Sequence, residues 1–135
     1  EDINTTQLFY YGYSLGGIFA THVAARHRLP TGLILEAVPA STLAIVESTM
    51  ILPVPPQFLF NDIFDVALDL STLALDVLTF YSKTDEKVAY RFNAPKIYGA
   101  SSRLEKVEVE NSKHWEIPDN LGFDVYRSHL SSYVE

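Results

Sequence analysis

The stretch Leu8-Phe9-Tyr10-Tyr11-Gly12-Tyr13-Ser14-Leu15-Gly16-Gly17 runs from four apolar residues into a glycine-flanked serine. Leu8 to Tyr11 reads as a buried strand. Leu15 to about Arg28 reads as a helix, with Leu15, Ile18, Phe19, His22, Val23 and Ala25 forming its apolar stripe. Ser14 thus falls at a strand-to-helix turn, with Gly12 and Gly16 two positions away on either side. This is the nucleophile-elbow pattern, in which small residues let strand and helix crowd together while a sharp turn exposes the serine hydroxyl. A glycine-rich turn before a helix can instead cradle a phosphate. A P-loop needs Lys-Ser/Thr after its last glycine, however, and Gly17 is followed by Ile18-Phe19. The glycine spacing also differs from the dinucleotide fingerprint G-x-G-x-x-G. Ser14 is the candidate nucleophile.

Outward from this turn the chain alternates strands and helices, the pattern of an open, mainly parallel α/β sheet flanked by helices. Pro30-Thr31-Gly32 breaks the first helix, Gly32 to Val38 reads as a second strand ended by Pro39, and Ser41 or Thr42 caps a short helix through Glu47. Pro53-Val54-Pro55-Pro56 is a helix stop. The apolar, aromatic stretch Phe58 to Asp65 reads as helix packing, with the wall of an acyl pocket as the alternative. Asp76 to Tyr81 reads as a third strand and Leu104 to Val109 as the last. Between them Tyr90 to Gly99 reads as only partly helical, because Pro95 interrupts it. Gly122 to Glu135 suits a closing helix, with Phe123, Val125, Tyr126, His129, Leu130 and Tyr133 as packing residues.

The 135 residues suit a single domain spanning 1–135, large enough to bury a core, and a 47% hydrophobic, 20% charged composition is that of a globular chain. The net charge of −7 disfavours nucleic acid and anionic membrane surfaces, which would repel it. With no cysteines, disulfides and a thiol nucleophile are excluded. No apolar run approaches the ~20 residues that a membrane helix requires. The sequence begins at Glu1 with no signal-peptide pattern after it, as expected of a processed or partial chain, and the cytoplasm is the default compartment.

A serine hydroxyl needs a base, usually histidine, itself oriented by a carboxylate. In open α/β sheets such groups lie just past the carboxyl ends of strands. Asp85 comes shortly after the third strand and His114 shortly after the last, and the order Ser14, Asp85, His114 is the nucleophile-acid-base order of the elbow class. Glu86 is a rival acid and Glu116 a lesser one, whereas Asp76 begins its strand at the wrong end of the sheet. His22, His27 and His129 fall on helices and read as packed, dipole-favouring or structural, and no histidine has metal-ligand spacing, so neither metal nor cofactor is expected. Trp115, beside His114, reads equally as a cleft wall or as core.

The residues Phe9 to Gly17, Ala20-Thr21-His22-Val23-Ala24-Ala25-Arg26, Gly32-Leu33-Ile34-Leu35-Glu36-Ala37, Ser82 to Val88 and His114 together resemble the C-terminal half of an α/β-hydrolase-fold serine hydrolase. The likeness is to the esterase, lysophospholipase-like and serine-aminopeptidase-like branch, and it runs through nearly the whole chain. It implies a Ser-His-Asp triad of Ser14, His114 and Asp85, with the Leu15 amide as one oxyanion donor, Tyr13 and Trp115 near the substrate, and a small ester or acyl substrate. The family often has glycine where Lys113 stands, and its fold begins with about four strands before the elbow that this sequence does not supply. Those strands bring the second oxyanion donor, whose loss costs on the order of 100- to 1000-fold in turnover. Their absence leaves the Leu8–Tyr11 strand with an open apolar edge, which invites a homodimer or the missing half as partner. The alternative to an enzyme is a non-catalytic α/β module that keeps the fold for oligomerisation or partner binding.

Overall fold

Four short strands, β1 (Phe9–Tyr13), β2 (Gly32–Glu36), β3 (Asp76–Ser82) and β4 (Leu104–Val109), lie side by side in sequence order, and every pair is parallel. The structure, a computed structural model, describes residues 7–27, 30–49 and 64–135. The connections carry α1 (Leu15–His27), α2 (Thr42–Thr49), α3 (Val66–Ser71) and α4 (Tyr90–Ala100), and the chain closes with α5 (Ile117–Leu121) and α6 (Phe123–Val134). Registers Tyr13↔Glu36, Glu36↔Phe80 and Phe80↔Val107 bring the carboxyl ends of all four strands to one edge of the sheet.

Side chains alternate between faces along a strand, and the two faces gather separate cores. Leu33, Leu35, Val77 and Tyr81 pack with Ile18, Ala24, Ala94 and Ile97 beneath α1 and α4. Ile34, Leu78, Phe80, Val107 and Val109 pack with Ile117 and Tyr126 beneath α5 and α6. β2 is buried along its whole length and β3 from Val77 onward, as parallel strands covered on both faces must be. Truncating any of these large core side chains to alanine costs about 2–5 kcal/mol.

Several local readings change. α1 does not bury the expected apolar stripe: of its members only Ile18 is fully buried, and Gly17, Thr21 and Ala24 complete the inward face. Close approach decides this. A Cβ on Gly12 would lie 2.3 Å from the Gly17 Cα, and one on Gly17 would lie 2.1 Å from Val38 Cγ2. The helix can dock that tightly only on its small residues, so Leu15, Phe19 and Val23 turn outward as an exposed row at i, i+4 and i+8. α4 is continuous through Pro95, because Pro95 and the Arg91 whose carbonyl loses its bond both lie on the exposed side. Asn93 anchors the buried side, donating to the Ala89 carbonyl and accepting from the Ala40 amide, both at 2.9 Å. β1 reaches Tyr13, and β2 stops at Glu36 because Ala37 turns to φ +49°. In α6, Tyr126 is buried while Phe123 and Val125 are exposed. The stretch 58–63 lies outside the described residues; of its neighbours, Phe64 packs its ring against Phe19 and His22. No described helix is long and apolar enough to cross a membrane.

Candidate active site

Ser14 joins β1 to α1 with φ +51°, a left-handed conformation that costs a non-glycine residue on the order of 1–3 kcal/mol. Its amide donates to the Glu36 carbonyl at 2.8 Å, and its carbonyl accepts the Gly17 amide at 3.0 Å. One strand over, Ala37 is also left-handed, and its amide donates to the Phe80 carbonyl at 2.9 Å. Each kinked residue is thus tied to the end of the next strand.

The loops after β3 and β4 are laced together by hydroxyls. Ser82 Oγ donates to the Ser112 carbonyl at 2.6 Å, and the Ser112 amide donates back to Ser82 Oγ at 3.1 Å and to Thr84 Oγ1 at 3.0 Å. This lacing brings Asp85 and His114 face to face. Asp85 Oδ2 lies 2.8 Å from His114 Nδ1, and His114 Nε2 lies 2.9 Å from Ser14 Oγ. The side chains of Asp85 and His114 are 0% and 9% exposed. A buried carboxylate is costly unless its oxygens are bonded. Here Oδ1 accepts the amides of Lys87 at 2.8 Å and Val88 at 2.7 Å, which leaves Oδ2 for the imidazole. A carboxylate only accepts, so Nδ1 carries the proton and Nε2 offers its lone pair to the serine hydroxyl.

The His114 backbone is gripped at both ends. Glu86 Oε2 accepts its amide at 3.1 Å, and the Tyr13 hydroxyl donates to its carbonyl at 3.2 Å, with the two rings 5.1 Å apart. Glu86, a rival for the acid, therefore holds the histidine's backbone and not its ring. Tyr13, read from sequence as a substrate contact, is engaged with the His114 loop. Burial first, then the negative Glu36, Asp85 and Glu86, hold its hydroxyl above the usual tyrosine range, so it stays a donor. Leu15 opens α1 beside Ser14, where first-turn amides have no intrahelical acceptor.

Trp115 is 56% exposed, which overturns its reading as core. With Thr84, Glu86, Lys87 and Lys113 it lines a depression of about 420 Å³ beside the two loops. A larger one, about 650 Å³, lies at the opposite edge, where Phe9, Asp76 and Leu104 begin their strands. There Asp76 receives two bonds from the Arg103 guanidinium, at 2.8 and 3.1 Å, far from Ser14's end of the sheet. The other carboxylates and histidines pair elsewhere: Glu116 lies 3.9 Å from Lys113, His22 bonds Asp69 at 2.9 Å and His129 bonds Glu105 at 3.1 Å. His27 lies exposed in the last turn of α1. Among the described residues no cluster suited to a metal ion occurs. The supporting roles of Ser82, Ser112, Glu36, Tyr11 and Tyr126 do not emerge from the sequence: the first four lie in or close after strands, and Tyr126 reads only as a packing residue of the closing helix.

Compared by sequence, the chain matches no protein-family model and no curated protein. Compared by structure, it superimposes on the esterase domain of a Rhodothermus marinus protein with TM-score 0.68 and 18% identity, over 92% of this chain and 58% of that one. An acylaminoacyl peptidase from Pyrococcus horikoshii matches with TM-score 0.68 and 13% identity, over 91% of this chain and 22% of its own. A chain described under LipS and LipT, two metagenome-derived lipolytic enzymes, matches with TM-score 0.64 and 15% identity, over 94% of this chain and 64% of its own. The chain has the α/β-hydrolase fold. Its structural neighbours of that fold are hydrolases, namely an esterase domain, lipolytic enzymes and a peptidase. At 13% to 18% identity the likeness is one of α/β-hydrolase architecture, and the chain spans less than two thirds of each of these relatives.

Proposed function

We propose that the chain is a serine hydrolase that cleaves a carboxylic ester or related acyl substrate through Ser14, His114 and Asp85. The observation that carries this reading is the continuous line from Asp85 Oδ2 through both imidazole nitrogens to Ser14 Oγ, at 2.8 and 2.9 Å, ending on a strained serine. Strain persists only where surrounding structure over-determines it, and it clusters at functional sites.

In the reaction, Ser14 Oγ attacks the acyl carbon as His114 Nε2 takes its proton. Asp85 holds the imidazole in the required tautomer and stabilises the imidazolium. The Leu15 amide donates to the oxyanion, reinforced by the positive end of α1. Collapse breaks the bond to the leaving group, which takes the proton from His114. Water then attacks the acyl-serine with His114 again as base, and the acid product leaves with Ser14 restored. A peptidase differs only in its leaving amine, so the same residues serve that narrower reading.

The test is a pre-steady-state assay with short-chain p-nitrophenyl esters. The expected result is a burst of p-nitrophenol equal to the protein concentration, marking an acyl-enzyme. Asp85→Asn keeps the shape but offers Nδ1 the wrong partner, and is expected to lower the burst rate by on the order of 10,000-fold. Absence of any difference between the two proteins contradicts the reading.

The exposed row of Leu15, Phe19 and Val23 beside β1, whose only strand neighbour among the described residues is β2, favours a second property. An open edge pairs with another strand, here that of a second copy or of a longer chain's remaining strands. At micromolar concentration the 15.2 kDa chain alone is expected to elute as a dimer in light-scattering chromatography. A monodisperse monomer contradicts this.

A further inference from the structure

Glu36 is a buried carboxylate outside the Asp85-His114-Ser14 line, at the carboxyl end of β2. One of its oxygens, Oε2, accepts two hydroxyls: Tyr11 from β1 at 2.7 Å and Tyr126 from α6 at 2.6 Å. The carboxylate therefore bridges three elements at the point where the sheet meets the serine turn. The backbone of the same residue does a different job, because its carbonyl accepts the Ser14 amide at 2.8 Å. The next residue, Ala37, is left-handed and is tied to the Phe80 carbonyl. Glu36 thus stands between two strained positions, and any play in its backbone passes directly to Ser14.

We infer that Glu36 is a positioning residue for Ser14, its side chain clamped by Tyr11 and Tyr126 so that its carbonyl fixes the serine turn. Both hydroxyls remain donors: burial above all, with the carboxylate adding to it, pushes Tyr126 up to about 12, and burial likewise holds Tyr11 well above its usual range. A buried aliphatic residue would fill the same space with a lower desolvation cost. What it could not do is tie β1, β2 and α6 to one atom. The inference rests on the reading of Ser14 as nucleophile and adds to it the part that holds that nucleophile in register.

The test compares the wild type with Tyr126→Phe, Glu36→Gln and Glu36→Ala, each checked for cooperative thermal unfolding. The first readout is the limiting rate of fluorophosphonate labelling at Ser14 and the probe concentration giving half that rate. Tyr126→Phe removes one hydrogen bond and is expected to lower the limiting rate about tenfold, with half-saturation unchanged. Glu36→Ala is expected to lower it by on the order of 100-fold, the scale of a small misplacement of a reacting group. Glu36→Gln, whose amide oxygen still accepts both hydroxyls, recovers most of the rate. Should Glu36→Ala not fold, Tyr126→Phe and Glu36→Gln carry the comparison.

The second readout does not depend on activity. Hydrogen exchange of the Ser14 amide is expected to quicken about tenfold in Tyr126→Phe, while amides within β3 keep their wild-type rates. Equal labelling rates with unchanged Ser14 exchange overturn the inference and leave Ser14 as nucleophile. If the wild type is not labelled, the nucleophile reading falls and exchange alone decides the clamp: faster exchange at Ser14 supports it, and unchanged exchange overturns it.

Discussion

Ser14→Ala and His114→Ala are each expected to lower the hydrolysis of an activated ester by up to a million-fold, and the double variant by no more than either alone. The non-additivity follows from geometry. Ser14 Oγ has its base only through His114 Nε2 at 2.9 Å, so removing either partner removes the same proton transfer. Losses that multiply in the double variant would mean that the two residues act in separate steps. The bonds of Glu86 and Tyr13 to the His114 backbone do not depend on the imidazole, so His114→Ala is expected to fold, with a lower Tm because Asp85 Oδ2 loses its partner. A cooperative thermal transition above the assay temperature checks that the lost rate is chemical.

Gly12→Ala is expected to be among the most damaging single substitutions to stability. Its new Cβ would sit 2.3 Å from the Gly17 Cα and 2.6 Å from the Gly17 nitrogen. Both are backbone atoms that no rotamer change can move. The helix must lift from the sheet, which costs about 4 kcal/mol or more, a large share of the roughly 5–15 kcal/mol that a domain has. Tm is expected to fall by roughly 15 °C. Gly16→Ala is the informative contrast, because a Cβ there meets nothing within 4 Å among the described residues. It is expected to leave Tm unchanged or raise it by a few degrees, since alanine favours helix by about 0.5–1 kcal/mol. Differential scanning calorimetry of the two variants checks both. In this chain the crowding at the turn falls on Gly12 and Gly17, whereas Gly16, the other glycine of the flanking pair, is uncrowded.

That contrast shows what the sequence made legible. The strand-turn-helix at Ser14, the alternation of strands and helices and the loops carrying Asp85 and His114 were readable because each is a local pattern ordered along the chain. The stripe expected on α1 is not the buried face, because periodicity reports which residues are apolar, not which face can approach a strand most closely. Contact between Gly12 and Gly17 overrode the hydrophobic side chains and left Phe19 and Val23 outside. Pro95 suggests an interruption from sequence alone because the helix-breaking rule does not say which side of the helix loses the bond. Glu36, Tyr11 and Tyr126 lie far apart in sequence and meet only through the register of β1 with β2 and the return of α6. Glu86 looked like a competitor for Asp85 because neighbouring carboxylates cannot be told apart until one is seen on the imidazole and the other on a backbone amide.

The role of Ser14 as nucleophile is tested by intact-mass analysis after fluorophosphonate treatment of the wild-type chain and of Ser14→Ala, with the adduct located by peptide sequencing. One adduct per chain is expected, on Ser14, and none on the variant. An adduct on another residue, or equal labelling of both proteins, would contradict that role.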